Sequence, residues 1–505
     1  MSDGLGIDAR VLGVLLGLTV AAGGVGYVVA ARLDGGSTRT AGVPAPRPTI
    51  SPEAQDPTPL LAALPAVDVS APQTSTPPPP EAPEPEPDDA APAPQPVPEP
   101  EPPPTSTPTT PPATPSTPAP APVPTRPRPE EDVGDPTPFR PEAASTPLAQ
   151  FVVPDTEFPS DSRAAMAALR SAASRAPDTG ATAADVRFVQ RLGERFGAAR
   201  LPGRQAAIGR TLRLNAWWYA RRRAPDARVL VRDPQGLIYS YRRGYGFQLN
   251  PVGTAGRWQS MNAGFSSAQL AGTMLEVGAS DVRGGRQTMI WEYYDVPDEP
   301  SVIRPSVSGM AQARVAHLMA DAYRESGDPR FAQAAAGAVA ALAVSVDAGG
   351  ARSMVSYPLG VAPEPWYVER AYPGTNPWKG AALNGFMVAI LELRAAESAL
   401  RTAPASAASQ AAADEARRLA DDGAATLDHY LPLHDSKRWS YYGMLAAGRS
   451  WRSYLANATY HCYHVSLLRS LAPLYAEYRF ESTADTWAGY ATRTGITCPA
   501  GTPTG

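Results

Sequence analysis

Apolar and polar residues recur along the chain in two registers, and each predicts a different kind of element. From Ser306 onward Val307, Met310, Ala311, Val315, Leu318, Met319 and Ala322 fall at intervals of three and four, which predicts a helix with one buried face. The run ESGDPRF ends that helix, with Gly327 as its stop, Asp328 as the next N-cap and Pro329 as the first residue of the following helix. PRFAQAAAGAVAALAVSV, ALNGFMVAILELRAAESAL and AAADEARRLADDGAATLDHYL predict three more helices, and another begins near Tyr460. Upstream, RAAMAALRSAASRA and AADVRFVQRLGERFGAARL carry the same spacing, and Trp217 and Trp218 lie on a helical pattern that places them in a core. ARVLVRDPQGLIYSYRR reads instead as two strands around a turn at Asp233, Pro234, Gln235 and Gly236, and RQTMIWEYYDV as another strand.

The amino-terminal third has neither register. After a short segment 1–10, residues 11–31 contain no charged side chain and are long enough, as a helix, to cross a bilayer core. The run exceeds the usual hydrophobic region of a signal peptide and its flank is not clearly basic, so an uncleaved signal anchor is favoured over a cleaved leader. Residues 32–154 follow as a Pro/Thr/Glu-rich segment that cannot build a packed core and is expected to be a disordered linker with polyproline II character. A stalk of this kind is most useful outside the cell, so the globular part is placed on the extracytoplasmic side of a single-pass anchor, with a cytoplasmic tether as the alternative.

Charge divides at the same boundary. Residues 1–150 carry 7 of the 45 Lys and Arg but 18 of the 49 Asp and Glu, so the overall charge of −4 hides an acidic stalk and a basic globular part. A basic domain without long Lys/Arg runs suits a polyanion in a cleft. Nucleic acid is set aside, because no zinc-finger, RNA-binding or helix-turn-helix signature is present. Cys462 and Cys498, the 2 cysteines, would form a bridge in an oxidising compartment or remain two thiols in a reducing one.

The expected architecture is therefore mainly α: an α/α toroid-type helical barrel with long aromatic loops over 301–505, preceded by a smaller mixed α/β-rich segment over 155–300. The loops hold the candidate chemistry. One contains Trp366, Tyr367, Glu369, Arg370, Tyr372, Trp378 and Lys379, leading to Asn384; another contains Lys437, Arg438, Trp439, Tyr441, Tyr442, Arg449, Arg452, Tyr460, His461 and His464. Aromatic rings stack on sugar faces, and arginine pairs with carboxylates or sulfates. Two histidines without a nearby third ligand do not make a zinc site, so no metal is expected. The structural alternative for His461 and His464 is a bond to backbone carbonyls beneath a loop.

PSVSGMAQARVAHLMADAYRESGDPRF, then a Trp-Tyr and Tyr-Pro loop running into LNGF, then Tyr-His-x-x-His before an apolar helix, resembles the C-terminal domain of the D-glucuronyl C5-epimerases. Those enzymes invert carbon 5 of glucuronate within a heparosan-type chain. The resemblance covers roughly Arg304 to Tyr478. It assigns the family's loop tyrosine to Tyr372, its Asn and Gly to Asn384 and Gly385, its later tyrosine to Tyr460, and another tyrosine to Tyr442, or to Tyr441 with a slip of one. Two departures stand out. YVERAYP has Ala371 where the family has an acid, with Glu369 displaced, and YYGMLAAGR lacks the arginine expected soon after the upstream tyrosine.

The resemblance implies a cofactor-independent isomerase. Removing the proton on carbon 5, α to a carboxylate, requires that carboxylate to be neutralised, for which Arg370, Arg438, Arg449 and Lys437 are candidates. Inversion needs a base on one face and an acid on the other. Tyr372 or Glu369 is assigned to one face and Tyr460, supported by Tyr442, to the other; Trp366, Asn384, Tyr441, His461 and His464 complete the expected binding set. The partner is an acidic, uronate-containing polysaccharide, and the resemblance points to a homodimer. The competing readings are a lyase or hydrolase on the same toroid and a catalytically inactive glycan-binding domain on a membrane stalk.

Overall fold

The computed structural model describes residues 149–498, apart from 176–179, 257–258, 263, 296–302, 357–361, 375–380 and 444–454. The apolar run 11–31 and most of the proline-rich segment lie outside the described residues, as does Arg449. Among the described residues no helix is long and apolar enough to cross a membrane.

The expected linker boundary at 154 moves upstream, because AQFV forms strand β1 (Ala149–Val152), which pairs in parallel with β2 (Val229–Arg232). Between them run helices α1 (Ser162–Arg175), α2 (Ala181–Phe196) and α3 (Pro202–Tyr219). Trp217 and Trp218 are buried on α3 as their spacing predicts. The anticipated hairpin joins β2 to β3 (Ile238–Arg242), and β4 (Gly246–Leu249) completes a sheet in the order β1-β2-β3-β4. Its turn is held by Asp233, whose Oδ1 accepts the N–H groups of Gln235 and Leu237, while Gly236 takes a φ of 95° that a side chain would resist.

Two short helical segments, Pro251–Ala255 and Gln259–Asn262, lead into α4 (Ser267–Val277). The antiparallel pair β5 (Ala279–Arg283) and β6 (Arg286–Ile290) follows. Helix α5 (Gly309–Ser326) is capped by Ser308 and stops at Gly327 in the left-handed conformation; α6 (Pro329–Ala343) starts from the Asp328 cap with Pro329 first. The stop at Gly327, the Asp328 cap and the Pro329 start were legible in ESGDPRF.

The single buried face expected for α5 is too narrow. Gly309 to Ala316 are buried without a break, because α4, α6 and α7 (Leu383–Thr402) pack around this helix. Val307 also leaves the helix and exchanges backbone hydrogen bonds with Ala371. Strands β7 (Arg352–Val355) and β8 (Glu364–Tyr367) form a hairpin under the aromatic loop. Helix α7 packs on α8 (Ala407–Tyr430) and α9 (Ala458–Leu471), and α10 (Phe480–Arg493) covers α9. One apolar core runs from Val153 to Cys498, so the helix-and-sheet part and the later helices share it. Cys462 and Cys498 form a disulfide that ties the chain beyond α10 back to α9, settling the alternative left open by the sequence.

Candidate functional site

The site begins with a reversal in the loop after β8. The Gly309 amide donates to the Val368 carbonyl at 2.9 Å, and Ala371 pairs with Val307 in both directions. Between these tied points Arg370 takes a φ of 56°, which few residues other than glycine adopt. The reversal sends Glu369 inward, where it is 8% exposed. Its carboxyl lies at the start of α7 against Gly385, and a Cβ on that glycine would come within 2.0 Å of Glu369 Oε1. Glycine is required there so that a buried acid can fit.

Burial pushes the Glu369 carboxyl up to about 7, while Arg370, Arg242 and Arg314 oppose the shift. The partial positive charge at the start of α7 also favours the ionised form. Oε1 has no hydrogen-bond partner among the protein groups. A carboxyl that changes charge near neutrality, with an oxygen uncommitted, can accept or return a proton.

Two phenols stand beside it. The Tyr442 and Tyr460 rings meet edge to face at 4.8 Å, and the two hydroxyls are hydrogen-bonded. Tyr460 is fixed at the first turn of α9, where its N–H donates to the capping Asn457 at 2.9 Å. Burial first, and then the nearby charge of Glu369, holds the Tyr442 phenol well above its ordinary value, so it stays protonated. Asn384, next to Gly385, is 1% exposed and neither amide atom has a hydrogen-bond partner. Glu369, Tyr442, Tyr460 and the Asn384–Gly385 pair thus meet around the start of α7.

A second layer was not foreseen. Asp295, buried just beyond β6, pairs through Oδ1 with Arg370 and through Oδ2 with Arg242 Nε at 2.6 Å. Arg370 also lies over the Tyr293 ring, 3.8 Å from its centroid. Arg314 comes from α5 and pairs with Glu392 of α7 at 3.2 Å. Upstream, Arg228 lies within electrostatic reach of Tyr460. The available signal was an acid inside the aromatic run WEYYDV, because a buried aspartate demands cations.

The remaining expected residues are placed elsewhere. Trp366 is fully buried and stacked on Phe386 at 3.9 Å, which corrects its assignment as a sugar platform, since neither face is open. His461 and His464 are also core residues. His461 Nε2 donates to the Trp487 carbonyl at 2.9 Å, its Nδ1 accepts the Ser440 amide, and its ring stacks on Trp439 at 3.7 Å. Ser440 Oγ joins His461 Nδ1 to His464 Nδ1. The structural alternative for these histidines is therefore the observed one, and their substrate-binding assignment is corrected. Tyr441 is buried, with its amide on the His434 carbonyl, and Tyr442 rather than Tyr441 faces Tyr460. Arg438 is exposed on a turn with Lys437, which pairs with Asp435. Tyr372 is half-buried with the Arg304 guanidinium 4.7 Å from its ring centroid. Among the described residues no group of three or more His, Cys, Asp or Glu is placed to hold a metal.

A helical scaffold that gathers a buried acid, two hydrogen-bonded phenols and several arginines defines an acid–base site suited to an anionic ligand. Residues 285–489 match the model of the D-glucuronyl C5-epimerase C-terminus. The chain is 28% identical over 185 residues to a D-glucuronyl C5-epimerase of Caenorhabditis elegans, an alignment covering 36% of this chain and 28% of that protein. The chain thus spans less than a third of the length of that relative. Arg228 and Arg242 fall upstream of the matched segment.

Proposed function

We propose that this protein inverts carbon 5 of D-glucuronate residues within an acidic polysaccharide. The observation that carries the reading is the buried Glu369 carboxyl, poised near neutrality beside the Tyr442–Tyr460 pair within the segment that matches the epimerase C-terminus. Ionised Glu369 removes the carbon 5 proton, and the electron pair of the broken C–H bond passes into the substrate carboxylate. The surrounding arginines stabilise the extra charge. Tyr460 delivers a proton to the opposite face, forming the new C–H bond with inverted configuration.

That step leaves Glu369 protonated and Tyr460 ionised. Tyr442 returns the proton from Glu369 to Tyr460 and restores the site, a role supported by its hydrogen bond to Tyr460 and its nearness to Glu369. Tyr372 is the alternative residue on the Glu369 face, and Asn384 supplies hydrogen bonds to the sugar acid. The packing of α5 to α9 supports an α/α toroid with the substrate across its mouth. The disulfide supports an oxidising compartment, in keeping with an extracytoplasmic domain on the 11–31 anchor and the proline-rich stalk, and the working form is proposed to be a homodimer.

The test is solvent exchange. Glucuronate polysaccharides incubated with the protein in heavy water should gain deuterium at carbon 5 and iduronate signals by NMR, with chain length unchanged. Unsaturated ends and shorter chains would make the protein a lyase, and no exchange on any uronan would leave a glycan-binding domain.

A further inference from the structure

The arginine that the family places soon after its upstream tyrosine is missing behind Tyr442, yet proton removal next to a carboxylate needs a cation on that carboxylate. We propose that Arg242, oriented by Asp295, receives the substrate carboxylate in place of that missing arginine. The inference rests on the uronate reading above, and it assigns a role to a residue outside the matched segment 285–489.

Three arginines influence Glu369, and the structure separates them. Arg314 is 3% exposed and drawn to Glu392. Arg370 is 13% exposed, paired with Asp295 and lying over the Tyr293 ring. Arg242 is 27% exposed, the most of the three. Asp295 Oδ2 forms an ion pair with it, 2.6 Å from its Nε, and a guanidinium carries five N–H donors in a planar fork suited to a carboxylate.

The hairpin that carries Arg242 is rigid. Asp185 of α2, fully buried, accepts hydrogen bonds from the Tyr241 hydroxyl and the Gly244 amide, so the hairpin is tied to α2 at two points, and a third bond from the Tyr219 hydroxyl ties Asp185 to α3. Asp295 then sets the direction of the guanidinium and offsets part of the charge that Arg242 and Arg370 would otherwise direct at each other. Arg242 is near enough to influence the Glu369 carboxyl, so a substrate carboxylate received there would bring carbon 5 toward that acid.

The test compares two probes at physiological ionic strength: a hexasaccharide of alternating glucuronate and N-acetylglucosamine, and the same molecule with its carboxylates reduced to alcohols. By calorimetry the native protein should bind the acid about tenfold or more tighter than the alcohol, as expected for a charge-assisted contact. Arg242→Gln should bind both equally. Its fold should survive, because Asp295 keeps Arg370 as a partner; if it does not, Arg242→Lys, which keeps the charge and loses the fork, should show a preference reduced several-fold.

A native protein without preference, or no binding of the acid at all, overturns the inference. So does a preference retained in Arg242→Gln, unchanged in Arg242→Lys, or lost instead in Arg449→Gln. Failure of the reaction itself is read separately: preference governed by Arg242 without deuterium exchange would overturn the epimerase reading and leave Arg242 as the carboxylate receptor.

Discussion

Glu369, against the start of α7, and His461, on α9, are both buried polar groups, yet their chemistry is opposite. His461 has both ring nitrogens engaged and its face stacked on Trp439. Glu369 keeps an oxygen without a partner, and three arginines counter the penalty of its burial. Burial drives the two kinds of group in opposite directions: Glu369 rises to about 7, whereas His461 and His434 fall to about 4 and His464 well below its ordinary value. At neutral pH the histidines are fixed neutral groups, while Glu369 exchanges its proton. Titratability near neutral pH, rather than burial alone, separates the cluster proposed as reactive from the structural one.

The largest expected effect comes from removing that titration. Glu369→Gln should lower carbon 5 exchange by roughly 10³-fold, within the range of a general base. The same variant should melt higher than the native protein at pH 8. The folded-state value of Glu369 lies above its unfolded value of 4.5, so the folded protein holds the extra proton and its stability falls as pH rises through about 7. A lower melting temperature at pH 8 with activity intact would place Glu369 among the structural groups.

Next in size, Tyr460→Phe should reduce exchange by about 10²-fold or more while leaving hexasaccharide affinity near that of the native protein. His461→Ala, one residue away, should do the reverse, lowering thermal stability by about 1–3 kcal/mol through the lost buried hydrogen bonds and stacking. Equal effects of the two on turnover would erase the distinction. Gly385→Ala should reduce exchange by about tenfold with a smaller loss of stability, because its Cβ would sit 2.0 Å from Glu369 Oε1 and displace that acid.

The helices were legible because their signals are local. Gly327, Asp328 and Pro329 perform the roles their types predict, and the β2–β3 turn falls at Asp233–Gly236 as read. The site was legible only in part. Tyr-His-x-x-His points to Tyr460, whose ring meets that of Tyr442, but adjacent helical residues diverge by about 100° around the axis, so His461 turns into the core. Trp366 misled because an aromatic in a loop resembles a sugar platform until Phe386 is found stacked on it. Asp295 and Arg242 were missed because their meeting depends on a hairpin and a strand end that are distant in sequence, and no periodicity encodes such a contact.

The smallest effect on turnover at neutral pH, and the sharpest on stability in acid, belongs to the histidines. Their folded-state values lie below the unfolded value of 6.5, so the unfolded chain takes up protons that the folded chain refuses. Stability is then fully present above 6.5 and is lost as pH falls toward 4, at up to about 1.4 kcal/mol per pH unit for each histidine. His434 lies in the core 5.9 Å from the Trp366 ring, and neither of its ring nitrogens has a protein hydrogen-bond partner. His434→Phe removes its titration while keeping a ring near Trp366. Melting curves of this variant and the native protein, measured from pH 8 to pH 4.5, should therefore converge or cross as pH falls, with exchange at pH 7.5 within about twofold of native. Parallel curves would mean that His434 takes up its proton as readily folded as unfolded, and the contrast with Glu369 would then rest on His461 and His464 alone.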